Sequence, residues 1–266
     1  MLLSVIIPVY NTKALYIEDC LDSVKLLDGL CDYEVIIVND GSSAEDTLYF
    51  LDKLTQIKKK NFTLIHQDNG GLPNAHNTGI KAAQGTFILP LDSDDVLSQH
   101  ISYFIDYLNH HPEIEILFGD YQTFGDEENY YHLTANFSLT ELLLSENQLT
   151  ACSFFKKEIW GKVGGYDESY KTFEDYEFWC RCAIHGVQFT HLSHPIFLYR
   201  KVNDGQSLLQ KSLPLHQEYR QKIVDKLIQP SIDLTELNRL MNNKLQKQIK
   251  QKKEKSLGNT HLCLLP

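Results

Sequence analysis

Over residues 2–111, short runs of continuous apolar sequence alternate with segments of helical period, and this leaves few folds open. The runs "LLSVIIPVYN", "YEVIIVND", "NFTLIHQ" and "TFILPLD" are each followed by turn chemistry. In the segment after the first run, "YIEDCLDSVKLL", residues Ile17, Leu21, Val24 and Leu27 fall on one helical face. The segments "AEDTLYFLDKLTQI", "LPNAHNTGIKAA" and "SQHISYFIDYLNHH" follow the other three. Ser42 or Ser43 is the expected N-cap of the second helix. Strands that are apolar throughout, rather than alternating, are covered on both faces. The order β-α-β-α-β-α-β therefore predicts an α/β chain with a doubly wound, mostly parallel sheet. Ligands of such sheets bind beyond the carboxyl ends of the strands. Tyr10-Asn11, Asp40-Gly41 and Asp92-Ser93-Asp94 are thus expected to meet along one edge.

The second half is less regular. "EIEILFGDYQTF" reads as a strand, and residues 125–148 are polar and aromatic with no clear period. "TACSFFKK" reads as a short strand leading into the helix start "KEIWGKVGG". "FEDYEFWCRCAIHG" is a strong helix ended by Gly186, with Phe178, Trp179 and Cys182 available to anchor it. "VQFTHL" and "PIFLYR" read as two short strands. Two helices are expected from about Leu213, with Pro230 between them. The expected organisation is a main domain over 1–205 and a helical, Lys-rich extension over 206–266.

Composition excludes some functions. A net charge of −10 over 266 residues argues against a nucleic-acid partner. There is no run of eighteen apolar residues, so no membrane-spanning helix is expected. The N-terminal run lacks a basic flank and a cleavage site and is interrupted by Pro8, so it reads as a strand rather than a signal peptide. The expected location is the cytoplasm. The six cysteines form no framework, and Cys180 and Cys182 lack zinc spacing, which points to free thiols. Lys244, Lys247, Lys250, Lys252, Lys253 and Lys255 crowd the tail beside an apolar stripe of Leu234, Leu237, Met241, Leu245 and Ile249. That pattern suits either a helix packed on the domain or peripheral docking on an anionic membrane surface at its cytoplasmic face.

Asp92 and Asp94 stand one residue apart at a strand end, so in extended backbone they point the same way. Paired hard oxygen donors suit Mg²⁺ or Mn²⁺, which also takes substrate phosphates as ligands. The plainer reading is a polar turn in which Asp95 caps the helix after it. Asp40 can accept hydrogen bonds from a base or ribose, or simply form an Asp-Gly turn. Tyr10 can stack on a base or join the core. Glu174 and Asp175 open a helix, where an acid serves either as a dipole partner or as a general base on a rigid support. The histidines show no metal-ligand spacing.

As an ordered set, "SVIIPVYN", "VIIVNDGS", "GGLPNAHNTGIKAAQGTFILPLDSDD", "VGGYDESY" and "FEDYEFWCR" resemble glycosyltransferase family 2 with the GT-A fold, over roughly residues 3 to 200. The resemblance implies a nucleotide-sugar donor, such as a UDP-sugar, and a glycan or lipid-linked acceptor in surface polysaccharide synthesis. It implies that Pro8 and Tyr10, with neighbouring Asn11, line the base pocket and that Asp40 reads the base. Asp92, Ser93 and Asp94 would be the Asp-x-Asp motif holding ribose, sugar and a metal–diphosphate, with Asp94 the direct ligand of Mn²⁺ or Mg²⁺. Asp175 would be the catalytic base, with Glu174 beside it, and Arg181 matches the arginine that often follows. The base would take the acceptor's proton while the ion stabilises the departing diphosphate, which gives a single displacement with inversion.

This chain departs from the pattern twice. His76 stands where the family often has arginine, and it reaches a phosphate reliably only when protonated. Val202 stands where the family often has a metal-binding histidine, leaving Lys201, Asn203 or Asp204 as substitutes toward the diphosphate or ion. A sugar-nucleotide-forming nucleotidyltransferase would need a Gly-rich loop after the first strand, and "PVYNTKAL" has no glycine. The remaining alternative is a non-catalytic GT-A protein that binds sugar nucleotides.

Overall fold

The computed structural model describes residues 2–56, 61–133, 142, 149–202 and 216–228. Its elements in chain order are β1 (Leu2–Val9), α1 (Ala14–Val24), β2 (Asp32–Asp40), α2 (Glu45–Gln56), β3 (Phe62–Gln67), α3 (Leu72–Ala82), β4 (Phe87–Pro90) and β5 (Val96–Leu97). There follow α4 (Ile101–His110), β6 (Ile116–Gly125), β7 (Tyr130–Tyr131), β8 (Phe154–Lys156), α5 (Lys157–Val163), α6 (Glu174–Ile184), β9 (Phe189–Lys201) and α7 (His216–Ile228). The sheet order is β3-β2-β1-β4-β8-β6-β9-β5, with β7 beside β6. Pairs β1–β2, β2–β3, β1–β4 and β6–β9 are parallel, whereas β8, β5 and β7 pair antiparallel. The expected mixed, mostly parallel sheet is the one observed.

Each strand feeds two cores because successive side chains point to opposite faces. Ile6, Ile36 and Val38 join a core with Phe118, Phe155, Phe178 and Trp179, while Val5, Ile7, Val35 and Ile37 join one with Ile17, Leu21, Phe104 and Ile105. Burying a side chain of this size contributes about 1.5–3 kcal/mol, so both faces are firmly held. Helix α3 lies unusually close to the sheet. A Cβ on Gly79 would sit 2.5 Å from Ile6 Cγ2 and 3.2 Å from Val38 Cγ2.

The sheet opens where the site will lie. Leu91 N donates to Ile6 O at 2.9 Å, the last rung between β1 and β4. Pro8 is next on that edge of β1 and has no N–H with which to continue the ladder. The two strands part there, at the point where strand order reverses.

One element differs from the sequence expectation. "VQFTHL" and "PIFLYR" belong to one long strand, β9. Opposite Gly119 and Asp120, the partners step from Leu192 to Pro195, so Ser193 and His194 are absorbed as a bulge. The described part of the expected 206–266 extension is helix α7. Helix α7 puts Ile223 and Leu227 into the core, and Lys226 bonds Asp167 at 2.5 Å and the buried Glu177 at 3.1 Å. The second expected tail helix and its lysines lie outside the described residues, as do Asn203 and Asp204. Among the described residues no helix is long and apolar enough to cross a membrane, and Cys20, Cys31, Cys152, Cys180 and Cys182 are free thiols.

Candidate active site

The loops after β1 and β2 are clasped together. Asn11, at φ 52°, accepts at Oδ1 from Ser43 N (2.7 Å) and Ala44 N (2.8 Å), and its own N–H donates to Ser42 Oγ at 3.0 Å. Asn11 therefore braces, from a different loop, the turn that leads into α2; the helix begins at Glu45, so its N-cap position falls on Ala44 rather than on the expected Ser42 or Ser43. Asn11→Ala is expected to destabilise the fold by about 1–3 kcal/mol, in line with loss of the partner of two amides. Chemical denaturation checks this. Tyr10 is 55 % exposed beside the clasp, free to offer a ring face, and Pro8 lies buried beneath it.

Asp40 ends β2, buried and tied down. Its Oδ1 accepts from Gly70 N (2.8 Å) and Gln67 Nε2 (2.7 Å), and its Oδ2 accepts from Gly71 N (2.9 Å). Gly71 holds φ 87°, a backbone that a side chain would strain. A carboxylate offers about four acceptor positions. Asp40 is thus a fixed acceptor with little capacity to spare, braced against the loop before α3.

The acidic turn after β4 is braced in the same manner. Ser93 Oγ and Thr12 Oγ1 are 2.8 Å apart, linking the turn to the β1 loop. Asp95 is buried and accepts from Arg200 N at 2.7 Å. It therefore pins β9 rather than capping a helix, and the short strand β5 separates it from α4. Burial, with Asp94 and Asp92 adding repulsion, raises the Asp95 carboxyl well above the usual range. Burial, then Asp94, then Asp175 pushes Asp92 up to about 7. Asp94 is exposed, yet the protein packed around it raises its carboxyl too.

Helix α6 presents the second acidic group. Phe173, at φ 64°, turns the chain so that Glu174 and Asp175 open the helix. Phe178, Trp179, Cys180 and Cys182 are fully buried below them, as the sequence predicts. Arg181 fixes the helix to the preceding turn. It pairs with Glu177 at 2.6 and 2.7 Å, and donates to Gly165 O at 2.7 Å and to Val163 O. Burial, with repulsion from Asp175 and Asp92, pushes Glu174 up to about 8. Glu174, Asp175 and Asp92 therefore share one electrostatic neighbourhood, although some eighty residues of sequence lie between them.

The Glu174 shift predicts a pH dependence. The folded state holds this proton more tightly than the unfolded chain, where the carboxyl titrates near 4.5. The stabilisation is complete below that value and is lost as pH rises through about 8. In metal-free buffer, melting temperature is expected to fall between pH 5 and pH 8, and Glu174→Gln to flatten that fall. An equally steep profile in the variant contradicts the assignment.

His76 is buried, both ring nitrogens lack a partner among the described residues, and burial lowers it to about 4. That favours the neutral ring over the protonated one that a phosphate contact calls for. Its ring stacks on Tyr166 at 5.1 Å, and Tyr166 stacks on Phe178 at 4.6 Å. The Tyr166 hydroxyl is also buried and unpartnered, near enough to Asp175 and Glu174 that their charges add to burial in raising it. An unpaired buried polar group costs about 1–3 kcal/mol, so these three atoms mark a place where polar partners are missing.

Among the described residues, no set of three or more His, Cys, Asp or Glu side chains is arranged to enclose a metal ion. Asp92 and Asp94 do present two hard oxygen donors whose carboxyls are raised, at Asp92 in part by mutual repulsion. This donor set fits Mg²⁺ or Mn²⁺ completing its shell with substrate oxygens and water. Val202 brings no donor, and Lys201 Nζ lies over the Tyr199 ring at 4.8 Å.

Sequence reading missed Arg200. Its Nε donates to Asp94 O at 2.7 Å and its NH2 to Asp19 Oδ2 at 2.8 Å. The guanidinium lies 4.3 Å from the Tyr16 ring centroid and 4.4 Å from that of Phe124. The one signal available was an arginine at the end of an apolar strand.

The doubly wound sheet opens at its switch point, where the acidic turn shares its electrostatic neighbourhood with a helix that begins in two carboxylates. The family model for glycosyl transferase family 2 matches residues 4–169, and the chain belongs to that family. The glycosyltransferase EpsJ of Bacillus subtilis, itself uncharacterised, is 30 % identical over 217 residues, covering 75 % of this chain and 61 % of that protein. This chain therefore spans less than two thirds of that relative. The structure of Staphylococcus aureus TarS (residues 1–349) in complex with UDP-GlcNAc matches with TM-score 0.70 at 19 % identity, over 91 % of this chain and 70 % of that one. The mannosyltransferase PcManGT from Pyrobaculum calidifontis, in complex with GDP-Man and Mn²⁺, matches with TM-score 0.59 at 17 % identity, over 83 % and 64 %. At these identities the structural likeness establishes the GT-A fold.

Proposed function

We propose that this transferase moves a sugar from a nucleotide-sugar, a UDP-sugar in the first instance, to a hydroxyl of a glycan or lipid-linked acceptor, with inversion. The observation carrying this reading is the convergence of Asp92, Asp94, Glu174 and Asp175 at the open end of the sheet. Tyr10 and Asp40, held by the Asn11 clasp and the Gly70-Gly71 turn, receive the base. Asp92 and Asp94 would hold the divalent ion, which would supply stabilisation of negative charge on the departing diphosphate. Asp175 accepts the proton of the acceptor hydroxyl as its oxygen attacks the anomeric carbon from the face opposite the leaving group. The carbon–oxygen bond to the diphosphate breaks, and the product carries the inverted configuration. Glu174, kept protonated by burial, adds no second charge beside the base.

The likeness to a UDP-GlcNAc complex favours a UDP-sugar as the first donor to test. A panel of UDP-, GDP- and dTDP-sugars with Mn²⁺, read as nucleoside diphosphate release and product configuration, tests the proposal. Release with none of them, with or without acceptor glycans, favours instead the non-catalytic sugar-nucleotide-binding alternative.

The Lys-rich tail supports a second part of the proposal, peripheral docking at the inner face of the membrane. Each lysine near an anionic surface contributes roughly 1 kcal/mol. Sedimentation with anionic vesicles at low salt is expected to carry down the full chain and not a version ending at Pro230. Equal partitioning of the two contradicts a role for the tail.

A further inference from the structure

Among the described residues, Arg200 is the one cation whose bonds reach both the backbone and the flanks of the acidic turn. Its Nε holds the main-chain carbonyl of Asp94 at 2.7 Å, and its own N–H holds the buried Asp95 carboxylate at 2.7 Å. The far side of the guanidinium is anchored to Asp19 on α1 at 2.8 Å, and Arg200 is only 11 % exposed. Tyr16 and Phe124 press on the guanidinium at 4.3 and 4.4 Å, so it is fixed in plane and position. Such a planar fork is matched by no other side chain. The arrangement joins α1, the turn and β9 at a single point. It spends one hydrogen bond on a backbone atom of the residue expected to hold the ion.

We propose that Arg200 is a positioning residue for the metal–diphosphate: by tying the Asp94 carbonyl to Asp19 through its guanidinium it fixes the direction in which Asp94 presents its carboxylate. The inference rests on the donor-site reading given above. The effect of Arg200 is expected on ion affinity more than on turnover. Partners that orient ligands in this way typically change metal affinity by about 10–100-fold when removed.

The test uses the full chain with UDP at fixed concentration and Mn²⁺ titrated, with free Mn²⁺ read by electron paramagnetic resonance. Arg200→Gln is expected to raise the half-saturating Mn²⁺ concentration at least about tenfold. Arg200→Lys keeps the charge but cannot reach Asp94 O and Asp19 together, so an intermediate value is expected. Asp19→Asn leaves the turn and the guanidinium intact, and is expected to give a smaller rise in the same direction. If Arg200→Gln fails to fold, the other two variants still decide. Unchanged Mn²⁺ half-saturation in the folded variants, even with a lowered melting temperature, reduces Arg200 to a structural brace and overturns the inference. Wild-type protein that takes up no Mn²⁺ with UDP overturns the donor-site reading itself, so the two failures are distinguishable.

Discussion

Asp94→Ala is expected to lower sugar transfer by roughly 10²–10³-fold or more, the scale seen when one electrostatic contact to a leaving group or oxyanion is removed. The protein should remain folded. Asp94 is exposed, its side chain makes no hydrogen bond that holds another element among the described residues, and Arg200 grips its carbonyl, which alanine retains. Removing one carboxylate also relieves the repulsion that raises Asp92 and Asp95. The melting temperature in metal-free buffer is therefore expected to stay level or rise. Steady-state transfer assays at several Mn²⁺ concentrations, alongside thermal melts, check both halves. Full activity of the variant at low Mn²⁺ contradicts the assignment.

Asp175→Asn is expected to cost about 10²–10⁴-fold in turnover number, the range for loss of a general base. Asparagine keeps the shape of the side chain, and its carbonyl can still accept the 2.7 Å hydrogen bond from Tyr176 N. It cannot accept the acceptor's proton. Donor affinity should change little, so the loss falls in kcat and not in the donor KM. The contrast with Asp94→Ala, which is expected to weaken donor binding, separates the two roles. An unchanged turnover number moves the base elsewhere, with Glu174 the next candidate. That residue is held protonated near neutral pH, which makes it the poorer base of the pair.

The parallel half of the fold was legible because its strands are apolar on both faces, a pattern that few other architectures produce. Tyr10, Asp40 and the Asp92–Asp94 pair could be placed on one edge for the same reason, since each stands at a strand end. What sequence could not show were contacts set by distant partners. Arg200 meets Asp94 across 106 positions and Asp19 across 181, and no local pattern announces either. The turn into α2 is braced by Asn11, more than thirty residues upstream, and no local pattern shows that contact either. Helical period alone does not show that His76 is buried against Tyr166, ninety positions away, whose ring stacks on it at 5.1 Å. The split of β9 into two strands followed from Ser193, His194 and Pro195, which look like a break and are instead a bulge.

The most direct measurement is calorimetric titration of UDP into wild-type protein, Asp94→Ala and Asp175→Asn, each with Mn²⁺ and with chelator. The account predicts metal-dependent binding to wild type and to Asp175→Asn with similar affinity, and little or none to Asp94→Ala. Equal binding by Asp94→Ala and wild type, or no binding by wild type in Mn²⁺, would contradict it.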